Sequence, residues 1–551
     1  MSAMDYSDKA PQQEDFEKNS ADHLEQGSGS VNTADQDELA ALEKSANLTG
    51  YVIYLSTVAG LAGFLFGYLP LTTRYDILPD DTGVIGVALT SMSKDLNITN
   101  PTIQEWITSS LSCGALFGAL VGGTSADKIG RKKILMIGDL LFVIGAVLIA
   151  AAPAPKGIAM VFIGRVILGF GVGIASSVAP VYIAEVAPSR FRGALVTIQS
   201  IAITGGQFIS YCLGIPLKGH NGWRYLFVIA IAPALIQAVG VHFLPESPRY
   251  DLIKGEKDRA RKTLDNVYKS ANPRLVELKM AELEILVGHV QAFRQQYNTR
   301  QQFALIARQG YLRRPAVTAL GLCVFQQLCG FNTLLYYSGI IFNSVGFKNP
   351  ATTGLFVPGC NVLFTIIAMF ILDRVGKRRI LILGYPGMII GLAPAALAFA
   401  KMTAGTGTGD LIAGYDYPKK WTSLMFGMFV LFIASYATGL GNIPWQGNEL
   451  FPLHLRGTGA AILSAGVWAA NIFISASFLS IMNGIGAAGA FGFYAGICVV
   501  GYVFVFFCYP EVSGLSLEEV EEIFRHGFGI RKSQEIRAAH KVAKELYMSQ
   551  N

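Results

Sequence analysis

Charged residues are scarce in this 551-residue chain. Asp, Glu, Lys and Arg make up 15% of it and hydrophobic residues 52%, whereas soluble proteins carry about 25% charged residues. This composition excludes an ordinary set of soluble domains. The seven cysteines lie within or at the ends of apolar stretches and have no paired spacing. The sequence therefore predicts neither a disulfide framework nor a zinc site.

The chain also lacks the arrangements of side chains that carry enzyme chemistry. It has no apparent nucleophile–base pair or metal-ligand spacing, and the glycine-rich run at 405–409 has no following Lys-Ser or Lys-Thr to bind phosphate. The formal charge of +6 does not indicate a nucleic-acid partner, because the basic residues form short clusters between apolar stretches. We therefore expect no enzyme activity, no metal, no cofactor and no nucleic acid.

Long apolar stretches dominate the sequence instead. About twelve of them approach or exceed the ~20 residues that cross the hydrocarbon core of a bilayer. This pattern predicts an all-α, polytopic membrane protein with twelve transmembrane helices. The stretches are 51–68, 102–123, 134–152, 158–178, 195–216, 225–244, 316–345, 355–372, 380–400, 424–444, 460–482 and 488–509.

Basic clusters fall on alternate connections between these stretches, and connections rich in Lys and Arg face the cytoplasm. The clusters are 128–133, 190–192, 249–314 and 374–379. We therefore expect both termini in the cytoplasm. Residues 1–48 are acidic and polar and contain no apolar core of a signal peptide. We expect them to form a disordered cytoplasmic arm.

The charges at the cytoplasmic ends of the spans occur twice. Asp-x-x-Gly followed by basic residues begins at Asp127 and again at Asp373. A Glu, with Pro three residues later and Arg-Gly four residues after that, begins at Glu185 and again at Glu449. Such a duplication indicates a transporter built from two related halves. The predicted domains are a six-helix half over 49–244, a linker with short helices over 245–314, a second half over 315–509 and a cytoplasmic tail over 510–551.

Two copies of the same charge pattern favour a cytoplasmic gate. Carboxylates and cations at neighbouring helix ends can pair in one conformation and separate in another. The alternative for any single cluster is that it sets membrane topology alone. The predicted gate consists of Asp127, Arg131, Glu185, Arg192, Asp373, Arg378, Glu449 and Arg456.

At these residues the chain resembles the sugar porters of the major facilitator superfamily. The resemblance covers about residues 51–524 and includes Pro-Glu-Ser-Pro-Arg at 245–249, Gln-Gln-x-x-Gly-x-Asn-x-x-x-Tyr-Tyr at 326–337 and Pro-Glu-x-x-Gly-Leu-Ser-Leu-Glu-Glu at 510–519. Within that family the chain is most similar to the fungal myo-inositol transporters, on Gly-Asn-Ile-Pro-Trp-Gln at 441–446. The resemblance implies the major facilitator fold, with two pseudo-symmetric six-helix halves that function as a monomer.

A polyol site needs amide side chains to pair with hydroxyl groups and an aromatic wall for the ring. The resemblance implies that most of the amides inside the spans contact sugar. The alternative for a single intramembrane amide is a hydrogen bond between helices. Val467 stands where many relatives have Gln, which puts an assignment to hexoses in doubt, and Gln446 could replace the lost contact. The candidate substrate-binding residues are Gln207, Gln326, Gln327, Asn332, Asn361, Trp445, Gln446 and Asn471.

Asp81 and Arg165 are rare charges within apolar stretches, where charges are costly and usually functional. The resemblance implies that Asp81 takes up a coupling proton and that Arg165 modulates its proton affinity. The alternative is that Asp81 caps a helix in a loop.

A segment at 69–80 interrupts the first span. The resemblance predicts Tyr68 followed directly by Asp81, but the intervening residues contain Pro70, Pro79 and several charges. They cannot continue an apolar helix through lipid. Our hypothesis is retained intron sequence or a mispredicted splice junction, and the alternative is a genuine loop. A transcript that joins Tyr68 to Asp81 would support the first.

The sequence as a whole predicts proton-coupled uptake of myo-inositol across the plasma membrane by alternating access. The alternatives are a hexose or pentose transporter, coupled or passive, and a non-transporting nutrient sensor, which the short tail after Tyr509 disfavours. The expected partners are a small polyol or sugar, protons and the lipid bilayer. Asn97, in an Asn-Ile-Thr sequence on the predicted outer side, is a candidate for glycosylation.

Overall fold

The described part of the chain is helical. A computed structural model describes residues 33–45, 47, 49–68, 92, 95–98, 101–188, 191–217, 221–269, 272–345, 353–404, 411, 415, 417–515, 517–525 and 527–550. Within these ranges there is no β-strand. The inserted segment at 69–80 and Asp81 lie outside them.

The first half of the chain contains six long helices that follow the predicted apolar stretches. In lipid a helix satisfies its own backbone hydrogen bonds, which is why an apolar stretch of this length forms one. After a short helix α1 (Thr33–Ser45), the long helices are α2 (Gly50–Tyr68), α3 (Pro101–Ile129), α4 (Arg131–Ala150), α5 (Ile158–Val186), α6 (Arg192–Gly214) and α7 (Gly222–Phe243).

Short helices occupy the charged linker, and the second half then repeats the long helices. The linker helices are α8 (Pro248–Ile253), α9 (Lys257–Val267), α10 (Pro273–Gln296) and α11 (Thr299–Arg308). The second half comprises α12 (Gly310–Leu328), α13 (Phe331–Ser344), α14 (Phe356–Val375), α15 (Lys377–Thr403), α16 (Lys419–Thr438) and α17 (Arg456–Cys508). Helices α12 and α13 form one span that is broken at Gly330, where φ is 89°.

Helix α17 supplies two spans. Its apolar stretches are Arg456–Phe478 and Ser480–Cys508, and its backbone leaves helical geometry at Gly486, where φ is 71°. Two 3₁₀ helices, Ile443–Leu450 and Leu453–Leu455, connect α16 to α17. The tail contains α18 (Leu517–Arg525) and α19 (Ile530–Gln550).

The helices confirm the predicted fold class. Within the described ranges, ten helical stretches are long and apolar enough to cross a membrane. The shorter apolar helix Phe356–Leu372 and helix α6 complete a set of twelve.

Helix α1 corrects the prediction for the N-terminal arm. We expected disorder over residues 1–48, but Thr33–Ser45 form a helix. Leu39 is buried, and Lys279 on α10 forms an ion pair with Glu43 (2.9 Å). A helix of this length is marginal alone in water, so packing against the linker stabilises it.

Small residues allow the long helices to pack closely. Gly114 and Gly118 on α3 face the backbone of α5, while Gly169 and Gly173 on α5 face the backbone of α3. A methyl group at any of these positions would overlap a carbonyl oxygen. Close backbone approach is a main source of helix association in lipid. It fixes α5 against α3.

The two halves meet along α3 and α17. On the cytoplasmic side, Gly123 faces Ala461. On the outer side, the Glu105 carboxylate accepts hydrogen bonds from the backbone amide and the hydroxyl of Ser480, both at 3.3 Å. Helices α6 and α14 form a second contact between the halves. A cavity remains between these two contacts.

Candidate functional site

The cavity has about 620 Å³ of empty volume, which includes solvent at its opening, and receives residues from both halves. Seven of the eight predicted substrate-binding residues line it, namely Gln207, Gln326, Gln327, Asn332, Asn361, Trp445 and Asn471. The eighth, Gln446, lines a smaller pocket that shares Trp445 and Ser200 with the cavity. Their role in binding stays a prediction, but the fold brings them to one place.

Four amide side chains of the second half form a continuous chain of hydrogen bonds. Asn332 and Asn471 donate from their Nδ2 atoms to Gln327 Oε1, at 2.5 Å and 3.0 Å. Gln327 Nε2 donates to Gln326 Oε1 (3.3 Å). Gln326 Nε2 donates in turn to the Gly441 carbonyl (2.9 Å). These hydrogen bonds fix the orientation of each amide at the cavity wall.

A second pair of amides joins the two halves. Asn361 Nδ2 on α14 donates to Gln207 Oε1 on α6 (3.0 Å). Among the described residues, no hydrogen bond engages the Asn361 carbonyl oxygen or the Gln207 amide nitrogen. These two atoms provide one acceptor and one donor, the combination that a hydroxyl group can satisfy.

Aromatic side chains form the apolar part of the wall. Phe66 on α2 packs edge-on against Trp445 and Trp468, with ring centroids 5.9 Å and 5.2 Å away. Phe331 stacks on Tyr436 with a centroid distance of 4.0 Å. Phe66, Phe331 and Tyr436 were not predicted as lining residues, because aromatic residues are common throughout apolar spans.

Two further polar residues, one beside the cavity and one in its wall, were also not predicted. Ser112 on α3 donates to Asn471 Oδ1 (2.7 Å) and thereby orients an amide of the opposite half. No pattern distinguishes Ser112 from Ser109 and Ser110 in the same helix. Asn442 lines the cavity and donates to the Ala437 carbonyl (2.6 Å). Its place in the Gly-Asn-Ile-Pro-Trp-Gln run was a usable signal.

The predicted cytoplasmic charges of the first half form a network. Arg131 Nη2 donates to Glu185 Oε1 (2.9 Å) and also pairs with Asp127. The other oxygen of Glu185 accepts a hydrogen bond from the Ser247 hydroxyl (2.6 Å). Asp127 pairs in addition with Arg294 of linker helix α10. The linker therefore closes part of the network, a contribution that the duplicated motif alone did not indicate.

The second half uses a different cation. Lys377 Nζ contacts Glu449 (2.6 Å), whereas Arg378 donates to backbone carbonyls at the end of α17. The remaining predicted gate residues lie at helix ends, namely Arg192, Asp373 and Arg456. The side chains of Arg192 and Asp373 lie outside the described residues.

Comparison with known proteins identifies the family. The family model described as "Sugar (and other) transporter" matches residues 55–524. The chain belongs to this family. Myo-inositol transporter 1A of Cryptococcus neoformans var. grubii is 52% identical over 532 residues, which cover 96% of this sugar transporter and 91% of the relative. Myo-inositol transporter 1 of Saccharomyces cerevisiae is 37% identical and covers 89% of this chain and 82% of the relative.

Solved structures agree with the fold of this sugar transporter. The MFS proton:xylose symporter XylE bound to 6-bromo-6-deoxy-D-glucose matches with a TM-score of 0.72 and 26% identity, covering 87% of this chain and 100% of that chain. The inward open conformation of XylE from E. coli matches with a TM-score of 0.66 and 25% identity, covering 86% and 99%. The sugar transporter is thus a multi-pass membrane protein with the major facilitator fold.

Two glutamates of the sugar transporter complete the symmetry of its cytoplasmic side. Glu246 accepts hydrogen bonds from the first two backbone amides of α4, at 2.8 Å and 3.2 Å. Glu511 accepts hydrogen bonds from the first two backbone amides of α15, both at 3.1 Å. A carboxylate at a helix N-terminus is favourable because those amides have no partner within the helix. Both Pro-Glu pairs are visible in the sequence, but no role was predicted for these two glutamates.

Arg165 of the sugar transporter lies in a dry part of α5. Its side chain is 1% exposed and donates to the carbonyls of Ile107 (2.7 Å) and Thr108 (3.1 Å) on α3. Its predicted partner Asp81 lies outside the described residues, so the pairing stays a prediction. Asn97 is exposed and has a φ of 57°.

Proposed function

We propose that this transporter carries myo-inositol together with protons into the cell by alternating access. The observation that carries the proposal is the cavity between the halves. It has amides on opposite walls and aromatic rings beside them. A cyclohexane polyol has a hydroxyl on every ring carbon, so it needs donors and acceptors on all sides rather than at one end.

The amide groups suit that substrate in a specific way. The hydrogen-bonded amides from Asn471 to Gln326 belong to the second half, whereas Gln207 belongs to the first. A polyol held by both would bridge the halves and favour the closed arrangement over open ones. Binding energy would then be used to drive the conformational change. The relatives named as myo-inositol transporters support this choice of substrate.

Contacts on both sides of the cavity supply the two gates, one between the halves on the outer side and one between the linker and the second half on the cytoplasmic side. On the outer side, Tyr211 on α6 donates to the Leu335 carbonyl on α13 (2.5 Å). On the cytoplasmic side, Thr458 on α17 donates to Gln302 of linker helix α11 (2.7 Å). The Asp127, Arg131 and Glu185 network and the contact between Lys377 and Glu449 strengthen the cytoplasmic side. In our proposal, each side opens while the other stays closed.

Proton coupling is assigned to Asp81 and Arg165. An acid facing a partly dry cavity holds its proton more tightly, and a nearby guanidinium opposes this. Movement of α5 relative to the first span would therefore change the proton affinity of Asp81. The structure similar to this chain that is described as a proton:xylose symporter supports coupling of this kind.

The remaining parts of the proposal concern location and assembly. The alternation of basic clusters supports both termini in the cytoplasm, and uptake into the cell implies function in the plasma membrane. The cavity is built from one chain, which supports a working monomer. The predicted domains, with a linker over 245–314 between two halves, are part of the same proposal.

Uptake of labelled myo-inositol in a transport-deficient cell tests the proposal. We expect saturable uptake that unlabelled myo-inositol competes away, that hexoses and pentoses do not, and that a protonophore abolishes. Competition by a hexose or pentose at equal concentration would favour the alternative substrate class. Uptake that persists unchanged with the protonophore would contradict coupling while leaving the substrate assignment intact.

A further inference from the structure

Two buried polar side chains lie away from the cavity and take part in no contact described above. Asp139 on α4 is 2% exposed, and Gln237 on α7 is 0% exposed. Among the described residues, Asp139 Oδ2 and both polar atoms of the Gln237 amide have no hydrogen-bond partner. Such atoms are rare because their desolvation is costly. Each of these atoms therefore indicates a hydrogen-bond partner that the neighbouring side chains do not provide.

The contacts between α4 and α7 place these side chains at similar depth. The two helices run antiparallel. At the cytoplasmic end, Lys132 Nζ donates to the His242 carbonyl (2.6 Å). At the outer end, Arg224 Nη1 donates to the Ala150 carbonyl (2.8 Å). In the register that both contacts define, the buried acid and the buried amide differ by less than one helical turn in position along the helix axes.

The apolar neighbours give the same placement independently. The interior of the first half consists of two hydrophobic clusters, one toward the cytoplasm and one beyond it. On α4, Leu135 belongs to the cytoplasmic cluster and Phe142 to the other, with the acid between them. On α7, Val241 belongs to the cytoplasmic cluster and Ala234 to the other, with the amide between them. The two side chains thus form a polar layer at the level where the two clusters separate.

The helices packed against α4 bring no cation to this layer among the described residues. These helices are α3, α5 and α7. Arg165, the one cation deep within them, is bound to carbonyls of α3. Cys113, Tyr182 and Tyr225 on the same helices carry no cationic group. The other charged side chains lie toward helix ends, namely Glu105, Asp127, Lys128, Glu185, Arg224 and His242.

We propose that Asp139 and Gln237 form a second proton-binding site inside the first half, in which one water molecule bridges the protonated carboxyl and the amide. A neutral carboxylic acid offers one donor and an acceptor, and the amide offers both as well, so a single water can join them. An ionised carboxylate here would be buried without a cation.

The site is separate from the transport path. No residue that lines the cavity belongs to α4 or α7. The proton on Asp139 is therefore stationary: it holds α4 against α7 and is not carried with the solute. This inference does not depend on which solute the transporter carries.

Infrared spectroscopy of the purified transporter tests the protonation state. We expect the wild-type spectrum to contain a carboxylic-acid C=O band at pH 7 that is absent from Asp139→Asn, a variant that imitates the neutral acid. The band should shift in Gln237→Leu, because that change removes one side of the water bridge. Identical spectra for the wild type and Asp139→Asn would overturn the proposal.

A double-mutant cycle tests whether the two side chains share one site. Asp139→Leu and Gln237→Leu should each lower the thermal unfolding midpoint, since each leaves the other group unsatisfied. The double variant should lose less than the sum of the two, and strictly additive losses would overturn the shared site. Asp139→Asn should keep wild-type solute uptake and its pH dependence, and an altered pH dependence of uptake would overturn the stationary proton.

Discussion

Gly130 and Gly376 occupy equivalent positions in the two halves. Their φ angles are 105° and 98°, and each precedes the first residue of a long helix. A Cβ atom at either position would lie 2.5 Å from a carboxylate oxygen, that of Glu246 in the first half and that of Glu511 in the second. Two constraints therefore require glycine at each position, namely the backbone angle and the capping carboxylate.

Gly130→Ala is expected to destabilise the transporter by about 1–3 kcal/mol, because the left-handed backbone angle and the close carboxylate both oppose a side chain. Gly376→Ala should behave alike, since its environment is the same. Thermal unfolding in detergent measures the effect as a lower midpoint.

Gly427→Ala provides the matched control for these variants. Gly427 lies within helix α16 and has no atom near the position of an added Cβ, so alanine there should be neutral or slightly stabilising. An unchanged midpoint for Gly130→Ala would show that the glutamate cap does not constrain this turn.

Gln327→Leu should weaken substrate affinity more than any other amide substitution, because Gln327 joins Asn332 and Asn471 to Gln326. Loss of its bonds costs on the order of 2 kcal/mol, which corresponds to a rise in KM of about 30-fold. Concentration-dependent uptake of myo-inositol measures the change.

Gln199→Leu is the control for that experiment. Gln199 is a buried amide on α6, as Gln207 is, but it does not line the cavity. Its replacement should leave KM within about twofold of the wild type. Equal effects of Gln199→Leu and Gln327→Leu would mean that amides act through folding rather than through binding.

Arg294→Ala should favour opening on the cytoplasmic side, because it removes the ion pair between the linker and Asp127. A partly exposed pair contributes up to about 1 kcal/mol, so the open population should rise about fivefold. A cysteine introduced at Ser200, which lines the cavity, can report this as faster thiol labelling in inside-out vesicles.

The comparison variant for Arg294→Ala is Arg259→Ala. Arg259 pairs with Glu256 on the exposed surface of the linker and makes no contact with either half among the described residues. Its loss should leave the labelling rate unchanged. Slower labelling in Arg294→Ala than in the wild type would contradict the role of this ion pair in closing the gate.

His454 should lower the free energy of unfolding of the transporter in acid. It lies in the connection before α17, packs against Phe293 with a centroid distance of 4.5 Å, and burial lowers its pKa to about 4. Unfolded histidine has a pKa of about 6.5, so between these values the unfolded chain binds more protons than the folded one. Stability is therefore full above about pH 6.5 and decreases toward pH 4.

Thermal unfolding at pH 7 and pH 5 checks this prediction. The free energy of unfolding of the wild type should fall by on the order of 1 kcal/mol more than that of His454→Gln over that interval, because glutamine cannot take up the proton. Parallel losses in the two proteins would assign the acid sensitivity to other groups.

The spans could be predicted from the sequence because their physical requirement is simple. A helix that crosses a bilayer needs about 20 apolar residues. Soluble proteins rarely contain apolar stretches of that length. The amides at the cavity were also recognisable, because polar residues such as Gln326 and Asn332 are conspicuous within apolar stretches. That these amides converge on one cavity could be seen only from the three-dimensional fold.

Other features depend on contacts that no local pattern specifies. Lys377 rather than its neighbour Arg378 meets Glu449, and that choice depends on the direction of each side chain at the start of α15. Ser112 acquires its role only because α3 crosses α17 beside Asn471. Helix α1 forms against the linker, a long-range contact that the composition of the arm did not reveal.

In our proposal, this chain couples a proton gradient to transport of myo-inositol through the cavity between its halves. The most direct measurement uses the purified transporter in proteoliposomes with an imposed pH gradient, acidic outside. Labelled myo-inositol should accumulate inside above its external concentration, and collapsing the gradient should release it. Gln327→Leu should prevent the accumulation at low concentration. Equilibration without accumulation, or accumulation of a hexose but not of myo-inositol, would contradict this function.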